Sequence, residues 1–333
     1  MKPRIKSLVV GQRYNILISE KKILNILVTG GAGYIGSILC EHLLKANYQV
    51  IVIDNLMYRQ TSLLHLCHHP NFDFVLGDAR DEREISQLLK KADVIIPLAA
   101  IVGAPACDRD TALAEAINLK AIQSLLRLRS KNQLVIYPNT NSGYGVSSGE
   151  TYCTEESRLN PVSFYGKIKV QAEIEVINQP NTITFRLATV FGSSSRMRLD
   201  LLVNYFVYAS VTDGYIVIFE KDFKRNYIHV RDVADCFLHA IENHVSMLGN
   251  TYNLGLDKAN LSKEELALKI RAYVPDFYIH FSEIKSDPDK RNYIVSNQKL
   301  KNSGFEAKRT LDQGIEELLK TYQMLKFSPL KNA

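Results

Sequence analysis

Up to Leu187 the chain is punctuated by six short runs of apolar residues: Ile26–Val28, Val50–Ile53, Phe72–Leu76, Val94–Leu98, Leu134–Tyr137 and Ile183–Leu187. They read as continuous hydrophobic runs rather than alternating ones, the pattern of strands covered on both faces. Between them lie stretches with helical periodicity, Tyr34–Lys45, Glu82–Lys91, Ala112–Arg129 and Phe164–Ile177. Strand alternating with helix in this rhythm predicts an α/β fold built on a doubly wound parallel sheet. Beyond about residue 188 the rhythm becomes irregular. A polar stretch, Gly192–Arg198, precedes a helix-like Leu201–Ser210 and a strand-like Tyr215–Phe219. His229–His244, Ser262–Tyr273 and Leu311–Leu325 read as helices. No repeats or low-complexity tracts interrupt this order.

The first strand-to-helix junction carries the most specific pattern. Thr29–Gly36 reads TGGAGYIG, between an apolar strand and the helix that begins near Tyr34. Gly30 suits a tight turn, Gly33 a close approach of backbone to a pyrophosphate, and Gly36 close packing of helix on strand. The helix offers its first free N–H groups, those of Tyr34 and Ile35 among them, and its positive dipole end to phosphates. Asp54 ends the next apolar run, where a carboxylate accepts from ribose hydroxyls and repels a 2′-phosphate. A Rossmann-type domain binding NAD rather than NADP follows. Arg59, five positions further on, reads as a solvated loop charge.

On this basis we expect an N-terminal extension over 1–24 and an NAD-binding domain formed by 25–187 plus about 215–244. A smaller, discontinuous α/β substrate domain takes about 188–214 plus 245–333. The length, 333 residues, accommodates two such units.

Composition narrows the class without naming it. The hydrophobic fraction of 46% and charged fraction of 23% are those of a globular protein. A net charge of +6 without a dense Lys/Arg stripe gives no reason to expect nucleic acid as a partner. Cys40, Cys67, Cys107, Cys153 and Cys236 are scattered and odd in number, as expected of reduced thiols in a cytoplasmic protein. Cys67-His68-His69 has no second ligand cluster at zinc-site spacing, so no metal is expected. Nothing approaches the roughly 18 apolar residues of a membrane span, and the basic, interrupted N-terminus lacks the apolar core of a signal peptide.

Tyr165 and Lys169 stand four apart in a proline-free segment, which on a helix places them on one face about one turn apart. An ammonium there would favour a tyrosinate, lowering a phenol pKa that starts near about 10. Tyr165 could then take a hydroxyl proton while hydride leaves the same carbon. Thr140 lies just past the strand Leu134–Tyr137, where doubly wound sheets bind their ligands, and its hydroxyl could bond the same substrate oxygen.

With these motifs the chain resembles the extended short-chain dehydrogenases/reductases of the NAD-dependent epimerase/dehydratase family, which includes UDP-galactose 4-epimerases. TGGAGYIG matches the family's TGxxGxxG loop, and Val52-Ile53-Asp54-Asn55 its ribose-binding strand end. Gly77-Asp78-Ala79-Arg80-Asp81 matches the adenine-contacting stretch. Leu98-Ala99-Ala100 matches a cofactor-contacting segment, with Pro97 where His is usual. Asn118 falls where an Asn stabilises the central helix, and is implied among the cofactor contacts. The resemblance implies Thr140, Tyr165 and Lys169 as catalytic residues. It implies substrate contacts from Thr140, Asn141, Arg225 and Arg291, and one from Thr189, which replaces the usual Asn. The implied substrate is a nucleotide-diphosphate sugar, and the implied assembly a homodimer through the Ala112–Arg129 and Phe164–Ile177 helices. Dehydratases of the family follow the Thr with Asp-Glu. Here Asn141 and Ser142 cannot act as carboxylate acid and base, which disfavours loss of water. Epimerisation after oxidation, most simply at C4, is the leading expectation. A 4-dehydrogenase releasing a keto sugar for polysaccharide biosynthesis is the alternative, and a catalytically silent NAD-binding protein a remoter one.

Overall fold

The computed structural model describes residues 23–146, 152–283 and 291–325. Seven parallel strands form its central sheet: β1 (Asn25–Thr29), β2 (Gln49–Asp54), β3 (Phe72–Leu76), β4 (Val94–Pro97), β5 (Leu134–Thr140), β6 (Thr182–Leu187) and β7 (Asn250–Leu254). Their spatial order is β7-β6-β5-β4-β1-β2-β3. The direction of winding reverses between β1 and β4, leaving a crevice beyond the carboxyl ends of these strands, where open α/β sheets bind ligands.

Continuous apolar runs suit this sheet because both of its faces are covered. Ile26, Val28, Val52 and Ile96 pack against the helices Tyr34–Lys45 and Val230–Glu242. Leu27, Ile53, Ile95 and Val135 face the helices Glu82–Leu89, Ala121–Leu128 and Phe164–Ile177. The helix expected over Ala112–Arg129 is present from Thr111 to Leu128. It carries one π-turn at Ala116–Lys120, closed by the bond from Ala121 N to Ala116 O.

The division between the parts differs from expectation in two places. Tyr215–Phe219, assigned above to the NAD-binding part, pairs in parallel with Tyr278–Ser282. Its Ile216 and Ile218 pack with the helices Leu202–Thr212, Lys263–Arg271 and Leu311–Leu325 in a separate core. Conversely, Asn250–Leu254 lies within the range given to the substrate part but pairs with β6 as an edge strand of the main sheet. The reason is the preceding helix: Val230–Glu242 lies on the sheet face beside the glycine-loop helix, and a parallel crossover from it returns the chain to the sheet edge. A short strand, Thr189–Phe191, pairs with Lys224–His229, which also pairs with Asn260–Ser262, and leads from the sheet into the smaller part.

Cys67 and His68 are exposed, and His69 Nδ1 accepts from Asn71 N at 3.2 Å in a local turn. Among the described residues no helix is long and apolar enough to cross a membrane.

Candidate active site

The chain turns as soon as β1 ends. Gly30 has φ +71°, and a Cβ on it would stand 2.5 Å from the nitrogen of Ala99. Only glycine fits that combination of left-handed backbone and close approach. At Gly36 a Cβ would lie 2.6 Å from Gly31 O and 2.7 Å from Gly30 O, so the helix rests directly on the loop. Gly33 is the N-cap and provides no side-chain acceptor, leaving the first N–H groups, Tyr34 and Ile35 among them, uncapped by a side chain. The Tyr34 side chain turns the other way: its hydroxyl donates to Gly192 O at 2.6 Å and docks the helix on the loop beyond Phe191.

Asp54 is buried at the end of β2 and holds the glycine loop from below. Its Oδ2 accepts from Ala32 N at 3.0 Å, and its Oδ1 from Leu56 N at 2.9 Å. Burial raises its pKa, against the pull of these two N–H bonds. Asn55 reaches Asp78 at 3.2 Å. The Arg80 guanidinium forks onto the Asp78 carboxylate at 2.9 and 2.8 Å and holds it down at about 2, leaving Ala79 between the pair. Leu98, Ala99 and Ala100 follow β4, tied to β1 by Leu98 N to Thr29 O at 2.9 Å and Ala99 N to Thr29 Oγ1 at 3.3 Å. Pro97, in place of the usual His, is buried at the strand end beside Thr29.

Asn118 occupies the π-turn. Its Oδ1 accepts from Ile101 N at 2.9 Å and its Nδ2 donates to Ile101 O at 2.8 Å. Expected among cofactor contacts, it has both ends of its amide engaged by protein backbone. Its part is to place the segment that follows Ala100.

Thr140 ends β5. Its Oγ1 accepts from Ser142 N at 3.1 Å and lies 2.9 Å from Ser142 Oγ. Tyr165 enters from the helix Phe164–Ile177, whose N-cap Ser163 accepts from Gly166 N at 3.1 Å. The Thr140 hydroxyl is among the groups that act on the Tyr165 phenol. Both Tyr165 and Lys169 are buried on one face of that helix.

The electrostatics differ from the sequence expectation. Burial pushes Tyr165 up to about 12, against the opposing pull of Arg198, Arg291 and the Thr140 hydroxyl. Lys169 does not hold the phenol down: burial pushes Lys169 itself down to about 7, with Glu173 opposing. Its ammonium donates to Pro138 O at 2.7 Å and sits 4.1 Å over the Tyr137 ring. The cations acting on Tyr165 are instead Arg198 and Arg291.

Glu173, one turn beyond Lys169, anchors a buried network. Arg186 Nη2 donates to its Oε1 at 2.6 Å, and Asn139 Nδ2 donates to its Oε2. Arg186 Nη1 continues to the Tyr144 hydroxyl at 3.0 Å.

On the substrate side, Asn141 is 1% exposed, and neither its Oδ1 nor its Nδ2 has a partner among the described residues. A buried carboxamide left open beside Thr140 suits a ligand. Arg291 Nη1 donates to Ser142 Oγ. Arg225 is buried, donates to Lys224 O at 2.9 Å, and stacks 5.8 Å over the Tyr293 ring. Thr189 is half-buried opposite Tyr227. Thr140, Asn141, Tyr165 and Arg291 thus converge at the end of β5.

Sequence reasoning missed Ser142 as a contact of Thr140, and Arg198 altogether. Arg198 forks onto Asp200 in the polar stretch beyond Phe191. Its signal was available: a charged loop beyond the carboxyl end of a strand that continues from the sheet.

The fold and the relatives agree. The chain is 28% identical over 316 residues to the low-salt glycan biosynthesis protein Agl12 of Haloferax volcanii, covering 90% of this chain and 98% of that one. It is 25% identical over 332 residues to the CDP-paratose 2-epimerase of Salmonella typhi, covering 89% and 98%. The structure superposes with a TM-score of 0.79 on the UDP-glucuronic acid 4-epimerase of Bacillus cereus, solved with UDP-glucuronic acid and NAD. That pair is 26% identical and covers 91% and 100% of the two chains. With residues 26–255 matching its family model, this chain is a member of the NAD dependent epimerase/dehydratase family.

Proposed function

We propose that the protein is a nucleotide-sugar epimerase that oxidises a ring hydroxyl, at C4, and reduces the resulting ketone from the other face. The observation that carries this reading is Thr140 at the carboxyl end of β5, acting on the buried Tyr165 phenol and followed by Asn141 and Ser142 in place of two carboxylates.

The cofactor is NAD, and the residues present fit it. Gly30 and Gly36 form a cradle that any Cβ would fill, and Asp54 sets a carboxylate under it. The glycine loop would hold the pyrophosphate, Asp54 and Asn55 the adenosine ribose, and Asp78 and Ala79 the adenine. Leu98–Ala100 would line the nicotinamide side, with Lys169 on its ribose. When bound, NAD supplies a reversible acceptor for the hydride of the sugar carbon.

The protein's own groups do the rest. Thr140 bonds the reacting hydroxyl, and Tyr165 takes its proton and later returns it. Arg225 and Arg291 offer donors to a diphosphate, which Arg binds bidentately, and the open Asn141 amide offers a donor and an acceptor to the sugar. Neither Asn141 nor Ser142 can remove a proton from C5 or protonate a leaving hydroxyl at C6. The long helices Thr111–Leu128 and Phe164–Ile177 are the proposed dimer surface.

Mass spectrometry of the product from a turned-over nucleotide sugar tests the reading. An epimer keeps the substrate mass. A product lighter by two hydrogens indicates the dehydrogenase, and one lighter by a water overturns the argument from the missing carboxylates. Tyr165→Phe should stay folded, retain NAD and lose at least about 100-fold in turnover, the scale of lost general-base catalysis.

A further inference from the structure

Two loops from different parts of the molecule meet beside the glycine loop. The first, residues 55–62, follows β2. Asp54 shapes it, its Oδ1 accepting from Leu56 N at 2.9 Å and from Gln60 Nε2 at 3.3 Å. At the far end Ser62 Oγ donates to Ala32 O at 2.7 Å and ties the loop to the glycine turn. Within it Leu56 and Arg59 hold left-handed backbone, with φ +50° and +52°, though neither is glycine. Such strain persists only where the surroundings over-determine the shape, and it clusters at ligand clamps.

The second loop, residues 193–198, leads from the strand Thr189–Phe191 towards the smaller part, in whose core Met197 is buried. Ser194 fastens it to the glycine-loop helix: its Oγ donates to Tyr34 O at 2.8 Å and lies 2.9 Å from Ser37 Oγ. Two residues on, the half-buried Arg196 sets its guanidinium 4.9 Å from the centre of the Tyr58 ring. Tyr58 is 51% exposed, so core packing does not account for an aromatic residue there, whereas its face carries a cation.

These contacts close a ring. It runs from Ala32 to Ser62, back along the first loop to Tyr58, across to Arg196, along the second loop to Ser194, and from Ser194 to Tyr34. The backbone that completes it, 32–34, leads into the first N–H groups of the helix, where the NAD pyrophosphate is proposed to lie. Of the five links only Tyr58–Arg196 joins loop to loop, so parting that pair lets the two loops separate while each stays anchored.

We propose that Tyr58 and Arg196 form a latch beside the pyrophosphate cradle that slows the passage of NAD into and out of its crevice. The pair touches through protein atoms alone, so opening it speeds entry and release together and leaves Kd nearly unchanged. A residue that contacts NAD itself changes Kd along with release. A latch suits the epimerase reading, since an epimerase regenerates its NAD within each turnover, whereas a dehydrogenase exchanges NADH for NAD in every cycle.

The inference rests on NAD lying over the glycine loop, and its test needs no sugar substrate. Full-length protein loaded with NADH is mixed with excess NAD, and the fall in bound-NADH fluorescence gives the release rate. Tyr58→Leu should speed release about two- to five-fold, the scale of an exposed cation–π pair, with Kd from calorimetric titration nearly unchanged. Arg196→Gln should do the same, and the two together no more than either alone. Tyr58→Phe, which keeps the ring face, should release at the wild-type rate. Unchanged release from a cooperatively melting Tyr58→Leu protein overturns the latch. So does a Tyr58→Phe protein as fast as Tyr58→Leu, a double variant whose effects multiply, or a Kd that rises in step with release. If Tyr58→Leu does not fold, Tyr58→Gln is held to the same criteria. Gly33→Ala, whose Cβ would meet only Gly30 O, at 3.1 Å, separately tests where NAD lies and should weaken its binding. Undiminished binding there would overturn the glycine-loop reading and the latch with it, whereas a latch that fails while Gly33→Ala weakens binding fails alone.

Discussion

Tyr165 is the residue on which the proposed chemistry turns, and its surroundings place it far from a ready base. Buried at about 12, it ionises with help from cations that come from elsewhere in the chain, Arg198 first among them. Removing a cation that favours the phenolate raises the pH at which the base forms. Arg198→Gln should therefore move the acid limb of kcat/KM upward by about 0.5–1 unit, with Arg198→Lys between it and the wild type. A limb that does not move would assign Arg198 to its ion pair with Asp200 alone. At Asp54 the expectation concerns the choice of cofactor. Asp54→Ala should weaken NAD more than NADP in calorimetric titration, and equal losses would mean that the carboxylate acts only through its bonds to Ala32 and Leu56. The glycines, Asp54, Thr140, Tyr165 and Lys169 were legible because each belongs to a local pattern whose spacing carries its geometry. Arg198 and Ser142 were not, because their importance comes from contacts between distant segments. The lysine was legible as a neighbour of Tyr165, but the downward push that burial exerts on it was not, since burial is a property of the packed helix.

The elements show the same division between local and assembled information. Six of the seven sheet strands announce themselves as apolar runs, but Asn250–Leu254, with sequence NTYNL, has too few apolar residues to do so. It becomes a strand because the helix before it is fixed on the sheet face and β6 offers an open edge. The Thr111–Leu128 helix was legible from its periodicity, whereas its π-turn was not, since one widened turn barely disturbs the pattern. That turn places the Asn118 amide on both polar groups of Ile101. Asn118→Ala leaves a buried N–H and C=O without these partners, which costs about 1–3 kcal/mol for each group left unsatisfied. Urea unfolding should show a loss of at least that size, accompanied by weaker NAD binding because the Leu98–Ala100 segment loses its support. Lost stability with unaltered NAD affinity would make Asn118 a fold residue only.

At the scale of the whole molecule the two parts are joined through Glu317, on the C-terminal helix Leu311–Leu325. Its Oε2 lies 2.9 Å from His229 Nε2, and its Oε1 accepts from Arg231 Nη1 and Ser193 N, both at 2.9 Å. The same Ser193 loop adjoins Gly192, which receives the Tyr34 hydroxyl, so the clamp connects the C-terminal helix to the glycine-loop helix. Burial opposes its charge, but the bonds from His229 and Ser193 hold Glu317 down at about 2, against an ordinary 4.5. A carboxylate with a depressed folded pKa contributes stability that is fully present above the unfolded value and is lost as pH falls through the folded one. The contribution of Glu317 should thus be complete above pH 4.5 and decline towards pH 2. Glu317→Gln keeps the shape and removes the charge. It should destabilise the protein at pH 7 by about 1.5–3 kcal/mol, the scale of hydrogen bonds to a charged group. The gap to the wild type should narrow steadily in urea titrations between pH 5 and pH 3. A gap that stays constant with pH would mean that packing, not the carboxylate charge, joins the two parts at this helix.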